Sequence, residues 1–165
     1  MIRKRVAACA IVVAGVLALS TTAALAGTNG AGTTTMTQHA RNVVLFSNPT
    51  TNPCTGAAGT ITAVAATSVM HATQQADGTF WFTQTAQGTV MFTPTNPSDA
   101  SGSGHFTLWF GESSNDKNDV QHDTATFQLW TTDGHHVIVK MRDHLSTNAN
   151  GVITSVFNVK SVSCK

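Results

Sequence analysis

The chain has 165 residues, a length that suits one domain. Its 9 Lys+Arg and 8 Asp+Glu give a net charge of +1, but Arg3, Lys4 and Arg5 sit together at the N-terminus. Without them six basic residues face eight acidic ones, a net charge of −2, and no basic patch is left for a phosphate backbone. Nucleic acid is therefore excluded as an expected partner.

Residues 1–26 have the layout of a secretory signal peptide. A basic start precedes an apolar run over 6–19, and small residues lead to Ala24-Leu25-Ala26. The run falls short of the about 20 residues a membrane-spanning helix needs. The expected product is secreted, cleaved after Ala26, with no membrane span afterwards. Cys9 leaves with the signal, and its place early in the apolar run is wrong for lipidation. Cys54 and Cys164 remain, an even pair in an exported chain, and are expected to form one disulfide.

Residues 27–38, GTNGAGTTTMTQ, show no periodicity and are read as a disordered lead-in. The single domain is placed over 39–165. Low charge and many β-branched residues favour strands, and no helical 3-4 spacing is present. Residues 41–46 read as a short strand ended by the Asn-Pro-rich segment 48–53. Longer strands are expected over 59–74, 79–93, 103–111, 121–131, 135–146 and 151–164. Asp77-Gly78, Asp133-Gly134 and Asn150-Gly151 are hairpin dipeptides. The segments 94–102 and 112–119 are polar loops. Sequence neighbours are then neighbours in space, an antiparallel meander.

The cysteines constrain the count. A disulfide requires Cα atoms within about 7 Å, whereas a strand of 8–10 residues is about 27–34 Å long. Both cysteines must lie at the same end of the sheet. They do so if 79–93 is one strand and not two. Phe80, Phe82, Val90 and Phe92 share one parity, which supports a single strand with a bend or bulge at Gly88. Pairing the strand near Gly59 with the last strand would close a barrel, with Cys54–Cys164 as a clasp on its seam. The expected fold is all-β: a small antiparallel up-and-down β-barrel, lipocalin-like or allene-oxide-cyclase-like, with a two-sheet β-sandwich as the alternative.

The strands have two unlike faces. One carries Phe80, Phe82, Val90, Phe92, Phe106, Leu108, Phe110, Phe127, Leu129, Val137, Val139 and Met141, an ordinary core. The other carries Trp81, Met91, His105, Trp109, His122, Trp130, His136, Arg142 and His144. It holds all three tryptophans, and periodicity alone does not say which face points inward. The bland account has these rings shielded by the N-terminal strand, loops or a partner. The sharper one makes them a contact surface.

Chemistry-bearing motifs are sparse. Adjacent His135 and His136 point to opposite faces, so they do not chelate together. The loop with Glu112, Asp116, Asp119 and Asp123 lacks the spacing and central glycine of a calcium loop. No metal and no cofactor is expected. The nucleophile elbow, the zinc-protease helix motif and the phosphate-binding glycine loop are all missing. Asn48-Pro49-Thr50 and Asn96-Pro97-Ser98 are disqualified as glycosylation sites by their prolines.

NPCTG (52–56), GHFTLWFG (104–111), Asp133-Gly134 ahead of a strand carrying His144, and V-S-C (162–164) resemble a family of small exported bacterial β-proteins of unassigned function. The likeness runs from residue 41 onward. It implies secretion, an all-β domain and the disulfide, and supplies no mechanism. Family members often carry an acidic residue after the Cys-Thr-Gly, where this chain has Ala57.

Three functions follow in order. The first is binding of a small apolar or amphipathic molecule in or on the barrel, with Trp81, Trp109, Trp130, His105 and His144 as contacts. The second is an envelope-associated module with a surface protein partner. The third is an isomerase- or cyclase-type enzyme, which needs His105 or His144 in a pocket beside Asp143 or Asp123.

Overall fold

Runs rich in Thr, Val, Ile and Phe alternate with Gly, Asn, Asp and Pro punctuation, and each run folds as a strand. A computed structural model describes residues 32–165. The expected signal peptide lies outside the described residues. The strands are β1 (Thr34–Ala40), β2 (Val43–Thr51), β3 (Ala58–Gln74), β4 (Phe80–Pro94), β5 (Gly102–Ser114), β6 (Asn118–Thr131), β7 (His136–Asn148) and β8 (Ile153–Cys164). All belong to one antiparallel sheet in which β3 to β8 follow in chain order. No helix of the described residues is long and apolar enough to cross a membrane.

β1 and β2 share one edge of β3. β1 pairs with residues 68–74 and β2 with residues 58–65. Between them Asn42 takes a positive φ of 54°, a conformation asparagine tolerates better than most residues. The pair is one edge strand broken by a kink. This corrects the expected disordered lead-in over 27–38, whose last five residues belong to β1. β3, at 17 residues, is longer than β2 covers, and β1 satisfies the backbone groups left bare. β2 also runs past Phe46 through Pro49, which an edge strand allows.

The three Gly-containing dipeptides mark the hairpins as expected, with a different geometry. Only the glycines have positive φ: 86° at Gly78, 89° at Gly134, 71° at Gly151. In each hairpin the glycine N–H donates three residues back, as from Gly134 to the Thr131 carbonyl. This is a type I turn followed by a left-handed glycine, not a two-residue turn.

Residues 79–93 form one strand, as the shared parity requires. Gly88 faces a bulge in β3, where Ala66 is the extra residue. Cys54 and Cys164 therefore finish at the same end and are bridged, with Cα atoms 5.8 Å apart.

The sheet does not close by hydrogen bonds, which corrects the lipocalin-like and allene-oxide-cyclase-like closed barrel. β3 has no free edge for β8, because β1 and β2 occupy it. Following the antiparallel steps through the sheet, β2 and β8 run in the same direction, so no antiparallel ladder can join them. The two-sheet sandwich does not form either, since every strand lies in one sheet. The sheet instead curls. Phe46 of β2 meets Phe127 of β6 edge-on at 6.2 Å, and the disulfide crosses the seam. Ala63, Ala65, Val90, Phe92, Phe106, Phe127, Leu129 and Val137 are buried on the concave side. The apolar face of the sequence is thus the inner one.

Candidate functional site

The concave side is divided along the strands. At the end nearer the disulfide, Phe46, Ile61, Phe92, Phe127, Leu129, Val137, Val139 and Met141 line an apolar slot of about 130 Å³. The Phe92 ring of its lining lies against Gly59, where a Cβ would come within 2.6 Å of it. Asn48 and Thr50 of β2 and Lys160 of β8 also line the slot. Lys160 pairs with Met141 in register, so both share the inner face. Among the described residues the one ion pair is His135–Asp133, which leaves the Lys160 ammonium without a carboxylate.

Further along the same face the lining turns acidic. Asp123 and Asp143 are cross-strand partners. Burial, reinforced by the Asp143 charge, raises the Asp123 pKa above the usual carboxylate range. Burial and then Asp119 raise that of Glu112. Oδ1 of Asp143 and Oδ1 of Asp119 are buried without a hydrogen-bond partner.

The expected contact residues are all on the outer, convex face. Trp81, Trp109 and Trp130 are 39–49% exposed, and the N-terminal strand does not cover them. Trp130 stacks on His136 at 4.4 Å and tilts against His105 at 5.6 Å. The Trp109 ring lies over Gly111, where a Cβ would sit 2.6 Å from it. His144 meets His122 across β6–β7, with their Nδ1 atoms 3.1 Å apart. These residues do not converge. His136, under Trp130, and His144 are eight residues apart on β7, about 27 Å of strand.

None of Trp81, Trp109, Trp130, His105 or His144 lines the apolar slot. A separate cavity of about 210 Å³ toward the other end of β6–β8 is bordered by Asp123, Asp143 and His144, although the two carboxyls belong to the inward parity of their strands and His144 pairs with His122. His105 does not line it. Among the described residues no three His, Cys, Asp or Glu side chains are placed to hold a metal ion.

Lys160, Phe46 and Asn48 are site residues that the sequence pattern does not single out. Apolar residues stand on both faces of β8, which hides its phase. The bridged Cys164 supplies that phase: it must point inward, and Lys160 shares its parity. No protein-family model, curated protein or solved structure matches the chain.

Proposed function

We propose that this chain is an exported binding protein for a small amphipathic molecule, with an apolar body in the concave slot and an anionic head at Lys160. The observation that carries this reading is the slot itself: an apolar lining with one uncompensated cation at its edge. The leader-like residues 1–26 and the disulfide support export. So does the likeness of NPCTG and GHFTLWFG to small exported bacterial β-proteins. A cavity of about 150 Å³ holds a benzene-sized body. A longer chain would extend into the open seam between β2 and β8.

Native mass spectrometry of the protein secreted by its own host tests this reading. A reproducible added mass that leaves on gentle activation supports it, and a clean apo chain counts against it. Calorimetric titration of the emptied protein then separates head from body. Decanoate should bind more tightly than decanol, and Lys160→Met should erase that preference by removing a charge-assisted contact of about 1.5–3 kcal/mol.

A second reading, an envelope-associated interaction module, is favoured by the half-exposed tryptophans of the convex face. Acrylamide quenching of tryptophan fluorescence should fall when the host's envelope fraction is added. Unchanged quenching excludes a partner on that face.

A further inference from the structure

The sheet has two outer edges, and they are unequally guarded. The β1–β2 edge is kinked at Asn42, bulged at Leu45, and carries Pro49, which has no N–H to offer. Kinks, bulges and prolines are the usual protections of an edge strand. β8 is guarded less, by a bulge at Thr154 near its start and by the inward-facing Lys160. It is 12 residues long, without Pro or Gly, and Lys160 is its single charge. Val156 is 70% exposed, Phe157 52% and Val159 42%, so apolar side chains are bare on both faces.

The ladder to β7 shows which backbone groups are free. His136 and Lys165 exchange both hydrogen bonds, N–H to carbonyl, at 2.8 and 3.0 Å. In an antiparallel ladder such pairs alternate. The odd-numbered residues of β8 therefore turn their N–H and C=O toward β7. Val156, Asn158, Lys160 and Val162 turn theirs outward. An antiparallel copy of the same strand matches these free groups when the two-fold axis passes through a residue and not between two, because even-numbered residues then face even-numbered ones.

Two constraints place the axis. The register shift next to Ser146 leaves Thr154 unpaired, so the regular ladder starts at Ser155. Toward the other end, Cys164 is tied to Cys54, which brings the β2–β3 loop against that part of the edge. The free, regular stretch is centred on Asn158. An axis there sets Phe157 opposite Val159 of the partner, and Val159 opposite its Phe157. These are aromatic–β-branched pairs of the kind that stabilise a ladder. Each Lys160 then lies against the partner's Val156, with its stem over the apolar side chain. An axis through Lys160 would set the two ammonium groups face to face.

We propose that a second copy of this chain pairs with β8 in this register, giving a two-fold symmetric dimer with one continuous sheet across both chains. The interface is isologous and closes on itself. The guarded β1–β2 edge keeps the assembly from growing further. Nothing in this inference depends on a ligand in the slot.

Sedimentation velocity on the disulfide-bonded secreted protein, over a micromolar dilution series, tests it. The expected result is a concentration-dependent dimer. Val156→Lys places a second cation opposite the partner's Lys160 on a side chain that is already exposed, and should weaken the dimer about tenfold or more. Asn158→Pro removes an N–H that β7 does not use, and should have the same effect. Circular dichroism checks that both variants keep the sheet. Asn158→Cys on the axis should cross-link two chains, since directly opposed Cα atoms lie about 5.5 Å apart. A parent protein that stays monomeric, or a dimer that survives both Val156→Lys and Asn158→Pro, overturns the proposal.

Discussion

At Gly88 and Gly104 the backbone of a neighbouring strand occupies the space a side chain would need. A Cβ at Gly104 would run into the Gln128 carbonyl, and one at Gly88 into the Val64 carbonyl, with Ala66 N only 2.7 Å away. Replacing a strand glycine by alanine ordinarily gains about 0.5–1 kcal/mol. Here Gly88→Ala and Gly104→Ala should each lose about 1–3 kcal/mol through overpacking. A lower urea midpoint at unchanged slope would show it; an unchanged or higher midpoint would contradict the close approach. Asp123 makes an independent prediction. Burial and Asp143 raise its pKa, so the fold binds this proton more tightly than the unfolded chain does. Its contribution to stability is complete below the unfolded value of about 3.9 and is lost as pH rises through the folded value. Asp123→Asn should therefore gain on the parent as pH rises from about 4 to 7. A margin that shrinks over that range would exclude a raised Asp123 pKa. The inward direction of Asp123 follows from the parity of Phe127 and Leu129 on its own strand. Its pairing with Asp143 depends on the β6–β7 register, which no single strand reveals.

β8 is the element with least support. It pairs with β7 alone, and its other attachment is the bridge from Cys164 to Cys54. The chain-entropy argument assigns a loop of about 100 residues roughly 4.7 kcal/mol, less any strain. Cys164→Ser should cost on that order in urea unfolding and should speed amide exchange over 153–164 more than over β4 or β5. Uniform loss of protection across the sheet would show that β8 does not open separately. Element boundaries were legible wherever Gly-containing dipeptides or shared parity marked them, as at Gly78, Gly134 and the unbroken β4. They were not legible at β1. Its Thr-Thr-Met-Thr run has β-branched character but no apolar alternation, and β3 supplies the reason for it to pair.

The meander, the inward phase of the aromatic core and the disulfide all follow from short-range regularities: a period of two, turn dipeptides and end parity. Closure does not. Whether β3 keeps an edge free for β8 depends on where residues 34–51 settle, and that long-range choice leaves the sheet curled but open. The bridge then has a mechanical meaning. Tension applied at residue 32 and at Lys165 passes through the sulfur–sulfur bond and bypasses the 110-residue loop between the cysteines. β3 to β8 lie within that loop, while β1 and β2 lie outside it and take the load. Stretching the oxidised protein in optical tweezers should withhold roughly 360–400 Å of contour that the reduced protein releases. Equal extensions in the two states would mean that the force finds another route. A protein held at its two ends could lose β1 and β2 to a pull and keep the strands that form its core.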